Sequence, residues 1–554
     1  MNSVGPILPA PAPKAQVGTR TGGHLVVESL QALGASVAFG LPGIHALPIW
    51  EALRASDLRT YGFRTELNAG FAAHGCAQVS GRPVPLLLST GPGALNSLTA
   101  LMEAASAHVP VVAIASQIPG ALMGRGRGYL HELRDQRAAF APIVKWAATA
   151  TTAEEVPVLI AEAWRRAGTP PTGPTYVEVP TDILSSGTAL PKVGALDGEP
   201  PTPPSPPDSA LAEAAGLLSS LPDPVIWAGG GVLRSGGWQA LAELADRLGA
   251  PVATTYMGKG AFPDDHPLAA GSACDDRAFQ ELLGRAGVVL CVGTELGAET
   301  TGQYALQFSG KLVQIDADPA RIGATYPALG LVGDARAVLQ ELAARVASRP
   351  RDGRGEARAR AVRDRIQHGL DAQGRALERQ LLRTIRSGLP RDAVIAWDMT
   401  ILGYWAAAHF PALEPRTFLY PLGSGTLGYA WPAALGAKAW LPEIPTLAVV
   451  GDGGFLYGAT ELVSARQHDL AAKLLLIDDG GYGILREYQR DAYGEVHGVD
   501  LTQPDFEAVI AACGVPVRKT TPEHIESELA WALETKGPAA IVLHERLASA
   551  LPTP

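Results

Sequence analysis

Cysteine is scarce: the 554-residue chain has four, Cys76, Cys274, Cys291 and Cys513, and none forms a CxxC pair. That scarcity excludes a disulfide framework and a structural zinc site, and it fits a reducing compartment. A basic excess is also missing. The formal net charge is -10, with Lys and Arg scattered along the chain, so there is no electrostatic footprint for nucleic acid. No uninterrupted apolar run reaches about 18 residues, and the opening MNSVGPILPAPAPKAQ has no charged leader followed by an apolar core. These absences predict a soluble cytoplasmic protein with a loose Pro/Ala start, no nucleic-acid partner and no membrane partner.

What is present is apolar sequence in short bursts, with 47% hydrophobic residues overall. Runs such as VPLLLS, VPVVAIAS, PVIWAGG, GVVLCVG, TLAVVGDGG and KLLLIDDGG alternate with stretches of helical periodicity. Alternation of that kind predicts βαβ units and parallel sheets buried on both faces. Two stretches interrupt it: LDGEPPTPPSPPDSA at 196–210, and ASRPRDGRGEARAR from Ala347. Clustered proline joins neither a helix interior nor a sheet ladder, so both read as linkers. The fold expected is α/β, with three doubly wound parallel-sheet domains over 18–190, 206–346 and 376–550. The segment from Arg351 to Arg386 is rich in arginine, but interspersed Asp and Glu make it read as a solvated linker helix rather than a nucleic-acid arm.

Chemistry concentrates between Gly451 and Gly483, in GDGGFLYGATELVSARQHDLAAKLLLIDDGGYG. Two carboxylate and glycine clusters each follow an apolar strand-like run. A right-handed crossover between parallel strands would return Asp452 and the Asp478–Asp479 pair to one sheet edge, where ligands of such sheets sit. Gly451, Gly453 and Gly454 let a ligand approach the backbone and leave a helix N-terminus open to an anion. Two hard oxygen ligands beside such a helix end suit an octahedral divalent cation, Mg²⁺ by preference, bridging to phosphate.

This stretch resembles the diphosphate motif of thiamine-diphosphate (ThDP) enzymes, which opens with GDG and closes about thirty residues later with Asn pairs or Asn-Asp. The resemblance continues through FGLPG at 39–43, RTELNAGFAAHGCAQVSGRP at 64–83, STGPGALN at 89–96, QIDADPARIG at 314–323 and GSGTLGYAWPAALGAK at 423–438. It implies ThDP and Mg²⁺ as cofactors and a pyrimidine-binding, a central and a diphosphate-binding domain. It makes Asp452, Asp479 and the Gly481 carbonyl the metal ligands. Glu66 would meet the cofactor's aminopyrimidine, Leu427 would support its bent form, and the Gly425 carbonyl and Leu427 amide would hold the pyrimidine. Asp478 departs from the pattern, since an extra carboxylate beside a diphosphate adds repulsion unless the metal or a hydrogen bond offsets it. The resemblance also implies a homodimer or homotetramer in which one subunit's glutamate-bearing domain completes the site on another.

The family branch is read from the pocket residues. Where pyruvate decarboxylases place an Asp after FGLPG, this chain has Ile44 followed by His45, a pattern similar to benzaldehyde lyase and 5-guanidino-2-oxopentanoate decarboxylase. MGRGRGYLHELRDQRA at 123–138 resembles the guanidino-oxoacid branch, and His131 falls where acetolactate synthases and lyases carry an active-site Gln. His45 is the first candidate proton shuttle and His131 the second. Leu485 replaces the decarboxylase glutamate, and Tyr488 lies where acetolactate synthases have a substrate-facing Trp. An apolar Leu485 cannot protonate an intermediate, which leaves carboligation or a His-assisted route. The expected activity is therefore decarboxylation of a 2-oxo acid with either aldehyde release or transfer to a second carbonyl, an aldehyde or a second 2-oxo acid. Two alternatives differ in class. One is a flavin or nicotinamide oxidoreductase centred on WAGGGVLRSGG, where Arg234 takes the third glycine position of GxGxxG; FAD is not indicated. The other is a catalytically idle ThDP fold.

Overall fold

The computed structural model describes residues 19–350 and 352–551; the Pro/Ala start lies outside the described residues. The described residues form two compact units, one running up to Ala77 and from Arg82 to Pro200, and one of Gln78–Gly81 with the described residues from Pro201 onward. Between them they carry three six-stranded sheets, and every strand pairing is parallel.

The first sheet comprises β1 (Val37–Gly40), β2 (Arg59–Gly62), β3 (Val84–Leu88), β4 (Val111–Gln117), β5 (Trp146–Thr149) and β6 (Thr175–Pro180). The second comprises β7 (Val225–Ala228), β8 (Val252–Thr254), β9 (Ala269–Gly271), β10 (Val288–Val292), β11 (Lys311–Asp316) and β12 (Leu329–Val332). The third comprises β13 (Val394–Trp397), β14 (Phe418–Leu419), β15 (Thr446–Gly451), β16 (Lys473–Asp478), β17 (Val517–Thr520) and β18 (Ala539–His544). All residues of β3, β4, β7 and β10 are buried, as unbroken apolar runs with helices on both faces require.

The first sheet runs β2-β1-β3-β4-β6-β5 and the third β14-β13-β15-β16-β18-β17, the same order with the same spacing. The sequence left open whether these two blocks are related; their topology is identical. Both reverse direction between their first and third strands, so the loops after β1 and β3, and after β13 and β15, flank the switch points where such sheets bind ligands. The middle sheet runs β12-β11-β10-β7-β8-β9, the order of dinucleotide-binding sheets. At its switch point Arg234 folds back over Gly230, where an added Cβ would lie 2.6 Å from the guanidinium. Burial pushes Arg234 down to about 10, against the pull of Asp316 and Glu295. The close glycine packing of a dinucleotide fingerprint is therefore replaced here by a buried cation.

The stretch at 190–207 has no regular structure, as its prolines dictate. The arginine-rich segment is helical from Arg354 to Ala372 and again from Ala376 to Ser387. Ala359, Val362, Ile366 and Leu370 form a buried stripe at helical spacing, so this helix is seated on the core along one face rather than solvated all round. Among the described residues, no helix is long and apolar enough to cross a membrane.

Candidate active site

In the first unit the predicted residues gather at the carboxyl ends of β1 to β3. Glu66 opens the helix Glu66–Ser80 and is 6% exposed, and its Oε2 accepts a hydrogen bond from Asn96 Nδ2 at 3.1 Å. Asn96 ends the short helical turn Pro92–Leu95 that follows β3. A Cβ placed on Gly93 would lie 3.0 Å from both Glu66 Oε1 and Ser89 Cβ, which fixes how closely the glutamate, this loop and Ser89 meet. His45, on the loop after β1, and His131 have ring centroids 5.3 Å apart in an edge-to-face arrangement, and the Tyr129 ring lies 5.8 Å from that of His45. The His131 backbone takes a left-handed conformation (φ 66°) and its carbonyl packs on Gly91. Burial, and then the neighbouring His131, lowers the pKa of His45. The Nδ1 atoms of both histidines and the Ser89 hydroxyl are buried with no protein partner, so three polar atoms stand ready for something the chain does not itself supply. Ile44 is exposed.

Sequence reasoning missed the support under this loop. Gln136 accepts a bond from the Gly91 amide at 2.6 Å and donates to Tyr176 Oη at 2.8 Å and to Glu178 at 3.1 Å. Thr149 donates to the other Glu178 oxygen at 2.8 Å. Burial raises the pKa of Glu178 against these bonds. Asn96 and Gln136 stood in motifs quoted for the family, but nothing in their spacing linked them to Glu66 or Gly91.

In the second unit, Gly451 of β15 pairs with Ile477 of β16, which brings Asp452 and the Asp478–Asp479 pair to the same sheet edge. Asp452 starts the helix Asp452–Gly458 and is 1% exposed. Burial first, then the charge of Asp479, pushes Asp452 up to about 7. Burial pushes Asp479 up to about 6, with Arg486 opposing and Asp478 adding to the rise. Asp479 Oδ1 is buried without a hydrogen-bond partner, 4.0 Å from Arg486 Nη1. Gln503 donates to Asp452 Oδ2. Gly480 and Gly481 take positive φ values of 84° and 147°, a path a side chain would strain, and this path carries the chain past Asp479. A Cβ on Gly453 would strike the Tyr482 ring at 2.7 Å, so the backbone there is closed to side chains. Two buried carboxylates that disfavour each other's charge, one with an orphaned oxygen, at an open helix start: this donor set fits a hard divalent cation carrying a diphosphate.

Asp478, the departure from the family pattern, is accounted for locally. Its Oδ2 lies 2.8 Å from His544 Nδ1, and His544 Nε2 lies 2.9 Å from Glu507 Oε1. Its Oδ1 accepts from the Gly480 amide at 3.2 Å. Asp398, at the end of β13, is a further residue that sequence reasoning missed. It accepts bonds from the amides of Met399 at 2.9 Å and Gly428 at 3.2 Å, which fixes the loop carrying Leu427. Burial pushes it up to about 6. Gly425 has φ 71° and packs near the Met399 side chain; Leu427 is half-buried. Leu485 and Tyr488 sit one turn apart on the helix Gly483–Tyr493, both exposed.

Comparison with known proteins agrees with this geometry. Residues 20–139 match the N-terminal TPP binding domain of thiamine pyrophosphate enzymes, residues 211–342 the central domain and residues 398–543 the C-terminal TPP binding domain. A probable 2-ketoarginine decarboxylase of Pseudomonas aeruginosa is 38% identical over 90% of this chain and 89% of its own. A probable acetolactate synthase large subunit of Methanocaldococcus jannaschii is 32% identical over 96% and 93%. The acetolactate synthase large subunit of Corynebacterium glutamicum is 32% identical over 91% and 83%. With its three parallel sheets, its acidic clusters at a switch point and these matches along nearly its whole length, the chain belongs to the family of thiamine-diphosphate-dependent 2-oxo acid decarboxylases and acetolactate-synthase-like enzymes.

Proposed function

We propose that this enzyme decarboxylates a 2-oxo acid of the 2-ketoarginine kind, using ThDP and Mg²⁺, and releases an aldehyde. The observation that carries this reading is the histidine pair, His45 buried and His131 half-buried, with ring centroids 5.3 Å apart and both Nδ1 atoms buried without a protein partner. The identity to a relative named for 2-ketoarginine supports the substrate class. Asp452, Asp479 and the Gly481 carbonyl would hold Mg²⁺ and through it the diphosphate, and Gly425 and Leu427 would hold the pyrimidine. When bound, ThDP supplies a nucleophilic carbon and an electron sink for the loss of carbon dioxide.

The chain's own residues then divide the work. Glu66 is fixed by Asn96 through Oε2, which leaves its second oxygen, Oε1, to meet the pyrimidine when the cofactor is bound. Burial keeps His45 neutral near neutral pH, so its free nitrogen can take a proton and return it. His131, with its ring centroid 5.3 Å from that of His45, would orient the substrate carboxylate. Leu485 offers no proton. Exposed Leu485 also favours a second reading, transfer to another carbonyl, because no acidic group at that position competes to quench the nucleophile. The assembly proposed is at least a homodimer, in which Glu66 of one protomer serves the aspartates of its partner. The four free thiols support a cytoplasmic setting.

Incubation with ThDP, Mg²⁺ and a panel of 2-oxo acids, following carbon dioxide and organic products together, tests the proposal. Aldehyde from 2-ketoarginine in step with carbon dioxide, with little product from pyruvate, is the expected result. Acetolactate from pyruvate as the main product would replace it with the second reading.

A further inference from the structure

The arginine-rich helices carry more than a linker needs. Between the middle and third sheets, within the second unit, is a cavity of about 440 Å³. Arg363, Arg379, Arg383 and Arg386 from the two helices, with Lys259, line it, and Asp264 is the one carboxylate among its lining residues. Five cationic side chains around one cavity stand out in a chain whose formal charge is -10.

The protein's own acceptors use only part of this donor capacity. Lys259 is 3% exposed, bonds to Ser272 Oγ at 2.7 Å and lies 3.8 Å from Asp264. Arg379 gives one bond to Asp371 at 2.5 Å, Arg363 one to the Ala269 carbonyl, and Arg386 bonds the carbonyls of Leu389 and Pro390. Arg386 also lies 5.6 Å over the Phe410 ring; each guanidinium has five N–H groups in a fixed fork, so these bonds leave donors over on each of them. The field in the cavity is felt by His409 on its wall, which burial, then Lys259 and Arg379, pushes down to about 3. The remaining wall is apolar, with Ile366, Leu370, Leu382 and Phe410.

We propose that this cavity is a binding site for a phosphorylated small molecule with an apolar body, separate from the site at Asp452 and Asp479. Several converging guanidinium groups match the many oxygens and double charge of phosphate better than a single carboxylate. The apolar wall matches a ring or hydrocarbon portion, and the volume admits a nucleotide-sized ligand. The site requires nothing of the catalytic reading, since none of its lining residues belongs to the predicted active site.

The test is calorimetric titration of the holoenzyme, saturated with ThDP and with Mg²⁺ in excess, using ADP, inorganic pyrophosphate and succinate as probes. ADP is expected to bind more tightly than pyrophosphate, through the apolar wall, and succinate at least tenfold more weakly than either. Arg383→Gln should weaken ADP several-fold, and Arg379→Gln with Arg383→Gln at least tenfold, with ThDP occupancy and melting temperature unchanged. Arg383 is exposed, so its single variant carries the test if the double variant folds poorly. Absence of ADP binding at millimolar concentration, ADP affinity indifferent to Arg383, or succinate binding as well as ADP would each overturn the assignment.

Discussion

His544 Nδ1 lies 2.8 Å from Asp478 Oδ2, while its other nitrogen meets Glu507 at 2.9 Å. This bond offsets the extra carboxylate that the sequence places beside the diphosphate cluster. Burial alone would lower the pKa of His544, but its bonds to Glu507 and Asp478 outweigh burial and raise it. A raised folded pKa means the stabilisation is complete below the unfolded value near 6.5 and is lost as pH rises through the folded pKa. His544→Gln should therefore lower the melting temperature more at about pH 6 than at about pH 9. An equal loss at both would show that the imidazolium charge does not contribute.

Asp452 and Asp479 predict a dependence of the same sign in the metal-free protein, over a lower pH window. Their folded pKa values of about 7 and about 6 lie above the ordinary 3.8, so their ionisation costs stability increasingly as pH rises through that window. Mg²⁺ with ThDP should remove that cost, so the gap in melting temperature between loaded and EDTA-treated protein should widen from about pH 5.5 to about pH 8. Asp452→Asn should narrow the gap and weaken Mg²⁺ by about 10–100-fold or more.

Glu66 and Asp452 belong to different compact units. Glu66→Gln should cut turnover by about 10²–10⁴-fold while leaving Mg²⁺-ThDP affinity within a few-fold, and Asn96→Ala should lower turnover less. If a partner protomer supplies Glu66, co-expressing the Glu66→Gln and Asp452→Asn chains should restore activity. Random pairing gives about a quarter of the wild-type rate, because each mixed dimer keeps one intact site. Mixtures as inactive as the single variants would place both residues of a site in the same chain.

Leu485→Glu is expected to shift products toward the aldehyde when a second carbonyl competes. A carboxyl one turn from Tyr488 can protonate where leucine cannot. The product ratio at fixed carbon dioxide output measures this, and an unchanged ratio would show that position 485 does not face the reacting atoms.

Much of the site could be read from the sequence because its chemistry is local. GDGG after an apolar strand, DDGG after the next, and the glutamate of RTELNAG are contiguous signals, and parallel pairing carries the first two to one sheet edge. The identical order of the first and third sheets could not be read, since hydrogen-bond register between strands far apart in sequence leaves no local periodicity. Asn96 on Glu66, Gln136 under Gly91, Asp398 under the Leu427 loop and His544 on Asp478 are side-chain contacts made across strand ends, invisible until the sheets are assembled.

The arginine-rich segment marks the limit most plainly. Its mixed charges predicted a solvated linker helix, whereas the structure seats one face of it on the core. Which arginines turn toward a cavity with Lys259 depended on how that helix seats against the middle and third sheets. Sequence alone determined the alternation of strands and helices, and with it parallel sheets bearing acidic clusters at their carboxyl ends, because buried parallel strands demand unbroken apolar runs. Tertiary packing decided which charges are paired and which stay exposed to a ligand, because that depends on distances between groups far apart along the chain.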